Sequence, residues 1–498
     1  MNLLCDPIFT VDTSTAREKC NLPKIYRLLQ ANEVESFARL QSHQKQAWHC
    51  FLVQLGAVAT EDRSIPETET DWREALLGQA SEEAWNLQTD DLSKPAFMQP
   101  PVPEDSVENW SEIHVTEYDV PVLSKNHALK KHRIHDPKPE HWAYMLVNVQ
   151  TAGFYSPGGR SPSRMASRTA SRPFFGTTPS LEVGDWIMHD IKRLRRRASK
   201  IEERYGYERN VPPLLWTVQW KEGGTLSLKD LHPLYIDCSR RIRKKGTWKK
   251  KSTGADRIDG IKAHKGVTGD PWAPIDDTNE EYQALNARRK HFRYRGLSKI
   301  LFGSEYELPF GFRDVNEGFV VCRAVTGVKG KRNFTLERVI RFTQKESVNP
   351  FAEDDDTTES AVAREAETRV QEAERAVSIF SHAMNWLFCE DAEEGPRSGL
   401  MSAYKRQKPD EPEKVYDRQK NALHSRIDQR FFDGLFQAPD YEKSRRRADW
   451  QDILVEAVRT QWTDAKTLCP SQHRWHRLAE AESIIDRRIT TFDYATSR

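Results

Sequence analysis

No part of this sequence stays apolar for long. The longest such stretch, Phe51–Ala59, is about half of the ~20 residues that a bilayer-spanning helix needs. Met1–Asn21 carries Asp6 and Asp12 where a secretory leader requires an unbroken apolar segment. The chain therefore reads as a soluble, cytoplasmic protein with no membrane partner. Cysteine is sparse: Cys5, Cys20, Cys50, Cys238, Cys322, Cys389 and Cys469 stand singly, without a CxxC pair. That spacing excludes a cysteine-ligated zinc ribbon or a disulfide framework and fits reduced thiols. Also missing are a GxSxG elbow, an HExxH pair, the kinase signature set and the Gly-Lys-Ser/Thr of a phosphate-binding loop, and no internal repeat points to a solenoid. Nothing here reads as catalytic, so the expectation is a protein that is not an enzyme, with no cofactor and no metal.

What is present is aromatic and charged. Apolar residues make up only 37% of the 498 positions, yet 14 Trp, 14 Tyr and 21 Phe are too many for a disordered polymer. The chain folds, its length calls for more than one core, and its surface is broadly polar. The formal charge of +2 conceals an uneven distribution. Residues 121–300 hold 36 Lys and Arg against 18 Asp and Glu, leaving 40 against 56 elsewhere. A basic middle is thus flanked by acidic ends.

The pattern along the chain predicts an α+β protein: a large mixed α/β domain over 1–345, an acidic linker over 346–360 and a C-terminal four-helix bundle over 361–498. Trp48, Phe51, Leu52, Leu55 and Val58 recur at helical spacing in Gln44–Ala59, predicting a helix with one apolar face. Pro139–Ala152 is a second such helix. Leu214–Trp220, Leu234–Asp237 and Gly318–Ala324 read as strands. Ala361–Phe388, Val415–Leu435, Trp450–Thr467 and His473–Ile489 are the four helical windows of the bundle.

The most informative segment is Gly153–Arg172, which contains no acidic residue. Gly158 and Gly159 allow close backbone approach, and Arg160, Arg164, Arg168 and Arg172 add four cations suited to a phosphate backbone or a minor groove. The competing reading is a surface loop with solvated arginines. Lys192–Arg197 and Arg240–Lys251 are further basic runs, joined by Lys125, Lys130, Lys131 and Arg133 and by Arg288, Arg289, Lys290, Arg293 and Arg295. Each supplies salt-sensitive, sequence-independent affinity for nucleic acid if it faces one. His135-Asp136 is an HD dyad, but no second HD or HxH partner accompanies it, so a metal-dependent nuclease is only an alternative.

Met1-Asn-Leu-Leu-Cys-Asp6, Lys94-Pro-Ala-Phe-Met-Gln-Pro-Pro101, and Trp142 to Thr151 leading into the Gly/Arg loop resemble the large subunit of type I-E CRISPR Cascade, the CasA family. Ser171-Arg-Pro-Phe174, Pro213-Leu-Leu-Trp216 and Thr268-Gly-Asp-Pro-Trp-Ala-Pro274 continue the order, so the resemblance spans nearly the whole chain. It implies a non-catalytic subunit that reads a short protospacer-adjacent motif in target double-stranded DNA, helps open the duplex and offers a docking surface to a nuclease. Its partners would be the other complex subunits, the guide RNA, the target duplex and a recruited helicase-nuclease or other nuclease.

By position, the resemblance places the motif-reading glycine loop at Ser156, Pro157, Gly158, Gly159 and Arg160, and a lysine finger at Lys262 or Lys265. It places a strand-separating wedge at Lys331, Arg332 and Asn333, with Arg332 or Asn333 entering the duplex. Lys125, Asn126, Lys130, Lys131 and Arg133 belong to a loop that contacts guide or adjacent backbone. Arg164, Arg168 and Arg172 are further candidates for backbone contact. Pro157 and the presence of only two glycines depart from the family's loop, and the zinc-binding cysteines of some relatives are absent. A basic scaffold without motif selectivity, or a nuclease around His135 and Asp136, are the alternatives.

Overall fold

The computed structural model describes residues 1–115, 134–152, 171–219, 225–251, 266–278, 282–310, 312, 315, 317–327, 333–342, 361–388, 412–436, 443–468 and 475–490. The chain divides into two compact units, Met1–Phe292 with Lys299–Phe342, and Arg293–Ser298 with Thr343–Arg498. The architecture is α+β.

In the first unit, β1 (Phe9–Thr13), β2 (Arg17–Cys20), α1 (Leu22–Gln30) and β3 (Val34–Phe37) form a three-stranded antiparallel sheet, in the order β2-β1-β3, with a helix between its second and third strands. Helix α1 starts where the Asn21 side chain accepts the Lys24 amide at 2.8 Å, a cap worth about 1 kcal/mol. Helix α2 (Lys45–Ala59) follows, then α3 (Glu69–Leu77), which opens with a reciprocal capping box between Thr68 and Asp71. The apolar face expected for α2 is wider than the periodicity suggests, since every residue from Gln46 to Ala59 is buried. Its polar side chains are satisfied individually: His49 Nε2 meets Asp190 Oδ2 at 2.8 Å and Gln54 donates to the Tyr235 carbonyl at 2.8 Å. Around it Tyr26 stacks on Trp72 at 4.4 Å, and Trp48 meets Tyr144 edge-on at 4.9 Å. Such pairs add about 0.5–1.5 kcal/mol each beyond area burial.

After β4 (Ser111–Glu112) come α4 (Pro139–Thr151), β5 (Phe174–Thr178) and α5 (Val183–Tyr205), the last ended by Gly206 at φ +69°. Helix α4 is tied to the first sheet by Glu140. Its buried carboxylate accepts from the Thr10 amide and hydroxyl at 2.8 and 3.0 Å and pairs with Lys19 and Arg39 at 2.9 and 3.0 Å. Strands β6 (Ile242–Lys245) and β7 (Thr247–Lys250) make a tight hairpin in the order β4-β7-β6. Short β8 (Ile275–Asp276) and β9 (Gln283–Ala284) precede α6 (Tyr294–Phe302), and β10 (Tyr306–Glu307) completes their sheet. Finally β11 (Gly318–Gly327) and β12 (Asn333–Phe342) pair over ten residues, from Gly318 with Phe342 to Gly327 with Asn333, and β5 adds on the other side of β11. The strand expected at Gly318–Ala324 is thus longer and has a partner that the sequence pattern left unseen. Leu234–Asp237 and the described part of Leu214–Trp220, residues 214–219, are not strands: they meet in one isolated bridge, Leu214 to Ile236, and Leu215–Thr217 is a 3-10 turn.

The second unit contains α7 (Ala361–Phe388), α8 (Pro412–Arg430), α9 (Lys443–Lys466) and α10 (Trp475–Thr490), four helices around Phe380, Leu423, Ile427, Trp450, Leu454 and Ile485. Arg369 is buried among them, donating to the Phe431 and Asp433 carbonyls at 2.9 and 2.8 Å with its guanidinium over the Trp450 ring. Tyr294, from the middle of the chain, belongs to this unit: its amide donates to Asp428 Oδ1 at 2.6 Å and its ring stacks on Phe431 at 5.0 Å.

Candidate nucleic-acid interface

An α-helix leaves its last carbonyls without internal partners, and the site is built on how α4 satisfies them. The Val149 carbonyl accepts from Arg240 Nε at 3.0 Å, the Gln150 carbonyl from the Ser239 hydroxyl at 3.0 Å, and the Ala152 carbonyl from the Arg172 amide at 3.2 Å. One of these donors, the Arg240 guanidinium, is a cation, which also suits the negative end of the helix dipole. The Gln150 side chain completes the join, accepting the Arg240 amide at 2.7 Å and donating to the Arg240 and Met98 carbonyls at 3.0 and 2.8 Å.

These bonds gather the ends of three sequence-predicted segments on one floor. Ala152 and Ser171 bound the Gly/Arg loop, and the bond from Arg172 to Ala152 closes its base. Ser171 is clamped to β11, its amide donating to the Val325 carbonyl at 2.7 Å and its hydroxyl accepting the Val325 amide at 2.6 Å. Val325 lies two residues before the end of the strand that leads to the expected wedge. The segment carrying Lys262 and Lys265 leaves from Lys251, whose amide donates to the Arg241 carbonyl at 3.0 Å, and returns through Gly269 and Asp270. Asp270 takes the Arg172 guanidinium on both carboxylate oxygens, with Arg172 Nη2 at 2.8 Å from Oδ1, while that oxygen also accepts the Trp272 amide at 3.0 Å. Gly269 sits at φ +67°, and a Cβ there would stand 2.8 Å from the Tyr205 ring and 2.9 Å from Ile201, so only glycine fits this turn. The Phe175 amide donates to the Trp272 carbonyl at 2.8 Å, fastening the turn to β5.

Most sequence-predicted positions belong to segments of which only the ends are described. Ser156, Pro157, Gly158, Gly159, Arg160, Arg164 and Arg168 lie outside the described residues, as do Lys262, Lys265, Lys331, Arg332, Lys125, Asn126, Lys130, Lys131 and Arg133, and the linker 346–360. Asn333 is the first residue of β12, its backbone opposite Gly327. Arg172 requires a correction. It is 1% exposed and its charge is consumed by Asp270 and by the Trp272 ring 5.1 Å away, so it is a structural cation and does not reach a phosphate. Burial works against its charge, but Asp270 prevails and holds its pKa above the ordinary arginine value.

The other basic runs are divided by the fold. Arg240, Arg241 and Arg243 are buried, whereas Lys244, Lys245 and Lys249 reach solvent. In α5, Arg193 is buried against Asp190 and the Thr177 carbonyl while Lys192 and Arg196 are exposed. Arg288, Arg289 and Lys290 are exposed. Asp136 is exposed and ion-paired with Lys138, and the described residues hold no group of three His, Cys, Asp or Glu side chains placed to bind a metal. Ser171, Gln150 and Asp270, which assemble the floor, stand in segments that carry the resemblance, but no pattern in the sequence assigns them a role of their own. Their roles depend on partners far along the chain, which no local signal marks.

No protein-family model matches this chain, and no curated protein matches it. Solved structures do. The CRISPR-associated protein Cse1 from Acidimicrobium ferrooxidans superposes with a TM-score of 0.67 at 14% identity, over 100% of this chain and 99% of its own. CasA (Cse1) of Thermus thermophilus gives 0.64 at 13% identity over 98% and 99%, and Cse1 of Thermobifida fusca 0.59 at 14% over 99% and 96%. The likeness runs from end to end in both units, and the chain has the fold of the Cse1/CasA proteins.

Proposed function

We propose that this protein is the large subunit of a type I-E CRISPR RNA-guided surveillance complex, and that it recognises the protospacer-adjacent motif in target double-stranded DNA and assists strand opening. The observation that carries this reading is the common floor at the end of α4. The Gly/Arg loop, the Lys262 and Lys265 segment and the β11–β12 hairpin are rooted together there, in a chain with the Cse1/CasA fold. A protein that reads a short motif and then separates the strands beside it needs its reading and wedging elements held at fixed spacing, because guide pairing begins only a few bases away.

In this reading Ser156–Arg160 and Lys262 or Lys265 address the motif, Lys331, Arg332 and Asn333 separate the strands, and Lys125, Asn126, Lys130, Lys131, Arg133, Arg164 and Arg168 hold the nucleic-acid backbone. The subunit performs no catalysis of its own and recruits a helicase-nuclease or other nuclease in the cytoplasm. The test is target-duplex binding by the guide-loaded complex, with and without this chain, on a library randomised beside the guide-matched sequence. Selective enrichment only in its presence is expected. Gly159→Asp or Lys265→Ala then weakens binding, and Arg332→Ala slows strand opening with less effect on first contact. Equal enhancement for every flank would replace this reading with a basic scaffold.

A further inference from the structure

The β6–β7 hairpin has no part in the reading above, yet its root lies on the same floor. Arg240 and Ser239, which lead into β6, are the residues that cap Val149 and Gln150. Two further contacts make the root rigid. Arg243 is buried with its guanidinium among four main-chain carbonyls, at 2.8 Å from Gln99, 3.1 Å from Lys94, 3.3 Å from Pro100 and 3.4 Å from Asp91. Trp248 stacks on Trp142 with ring centres 4.7 Å apart and planes 14° from parallel. Above this root the strands turn at Gly246, whose φ of +67° permits the tight reversal.

The tip is cationic in a way that long-range folding does not require. Pairing of Arg243 with Lys249 and of Lys245 with Thr247 puts Lys245 and Lys249 on one face, and pairing of Lys244 with Trp248 puts Lys244 on the other, its ammonium over the Trp248 ring at 5.9 Å. Among the described residues none of these three lysines has an ion-pair partner. The one carboxylate opposite, Glu112 on β4, accepts the Thr247 hydroxyl at 2.9 Å. Lys250 beside them has a depressed pKa, chiefly from burial and then from the nearby Arg240.

We infer that the β6–β7 hairpin is a further nucleic-acid contact, in which Lys244, Lys245 and Lys249 lie against the phosphodiester backbone of the target duplex without reading its sequence. The inference rests on the reading that the chain engages a target duplex at the α4 floor, with which the hairpin is continuous through Lys251 and Arg240. Lysine is a mobile point charge with no fork to match a base edge, so it contributes affinity and position but not motif choice. A rigid root lowers the ordering cost of binding. Each phosphate neutralised releases counterions and steepens the salt dependence of the affinity by about 0.9 in logarithmic slope.

The experiment compares the wild-type full-length chain, in the guide-loaded complex, with the triple variant Lys244→Gln, Lys245→Gln, Lys249→Gln and with the triple Lys→Arg control. Affinity for a duplex carrying one guide-matched sequence is measured across a salt series for each of several flanking motifs. The expected result is a slope lower by roughly 2 to 3 in the Gln variant, equal for all flanks, with the wild-type slope kept by the Arg control. An unchanged slope overturns the inference. So does a Gln variant that no longer joins the other subunits while the Arg control does, which would make the tip a face for an acidic protein. Motif preference is a separate readout, so loss of selectivity in the wild-type protein would sink the proposed function and leave the slope comparison to be judged on its own.

Discussion

Ser171 and Val325 exchange two hydrogen bonds, one between their main chains at 2.7 Å and one from the Val325 amide to the Ser171 hydroxyl at 2.6 Å. The residue that ends the Gly/Arg loop is thereby fixed to the strand that leads to the expected wedge, although 154 positions separate the two. Ser171→Ala keeps the first bond and strands the buried Val325 amide, at a cost of about 1–3 kcal/mol. Amide exchange of β11 near Val325 is expected to accelerate while that of α2 is unchanged, and strand opening is expected to slow more than initial duplex binding. Uniformly faster exchange in both elements would show that the bond is only a general support.

The pairing of Arg172 with Asp270 is buried on both sides. Arg172→Ala leaves an uncompensated carboxylate in the interior and should destabilise the first unit by about 3–5 kcal/mol. Asp270→Asn is expected to be milder than Asp270→Ala, because an amide oxygen can still accept from the Trp272 and Ala273 amides, at 3.0 and 3.3 Å in the native turn. Urea unfolding followed by tryptophan fluorescence gives the ranking, and equal costs for Asn and Ala would refute this account of the turn.

Two histidines, one buried in the first unit and one half-buried in the second, contribute to the response to acid. Burial, then Lys290, lowers His291 to about 4, and its Nδ1 accepts the Arg288 amide at 3.2 Å, a bond available only to the neutral ring. Burial, then Arg295, Arg293 and Lys420, lowers His424 to about 4 as well. An unfolded histidine titrates near 6.5. Between about pH 6.5 and 4 the unfolded chain therefore binds protons that the folded chain refuses, so stability contributed by both groups is present above that window and falls as pH drops through it. His291→Asn and His424→Gln should each flatten the decline of thermal midpoint between pH 7 and pH 5. A decline as steep as that of the wild type in both variants would assign the acid response to other groups.

Arg243 is held by carbonyls rather than by a carboxylate, and burial depresses its pKa to about 10. Arg243→Ala uncovers the Lys94, Gln99 and Pro100 carbonyls at once, and a loss of about 1–3 kcal/mol is expected. Arg243→Lys should recover little, since an ammonium cannot address several carbonyls with a planar fork. Hydrogen exchange over Asp91–Val102 is the measurement, and protection retained in the Ala variant would mean that the prolines alone keep this loop in place.

The bundle was the most legible part of the fold, because its apolar residues recur over windows long enough for a helical period to stand out. Strand β12 was not legible. In Asn333–Phe342 the apolar residues Phe334, Leu336, Ile340 and Phe342 alternate with polar ones, but Arg338 and Val339 break the period at its centre, and the strand is defined by its ladder with β11. Helix α2 was placed well but its burial was underestimated, since polar Gln46, His49 and Gln54 broke the pattern while finding partners elsewhere in the chain. At the candidate site the composition of the Gly/Arg loop was visible, but the fate of Arg172 was not. A cation in a basic segment looks the same whether it faces a phosphate or an aspartate 98 residues away. For the same reason the run Arg240–Lys251 looked uniform, although the fold buries its arginines and leaves Lys244, Lys245 and Lys249 at the surface.

The assignment of Arg293–Ser298 to the second unit bears on how this protein can be taken apart. No single cleavage of the chain separates the two units with their parts intact, since a fragment beginning at Thr343 lacks Tyr294 and leaves Asp428 without its main-chain donor and Phe431 without its stacked ring. The bundle is thus a discontinuous module. Exchanging it between relatives calls for grafting a six-residue insert from mid-chain along with the C-terminal third, and shuffling experiments that ignore the insert would misread a truncated core as an incompatible one.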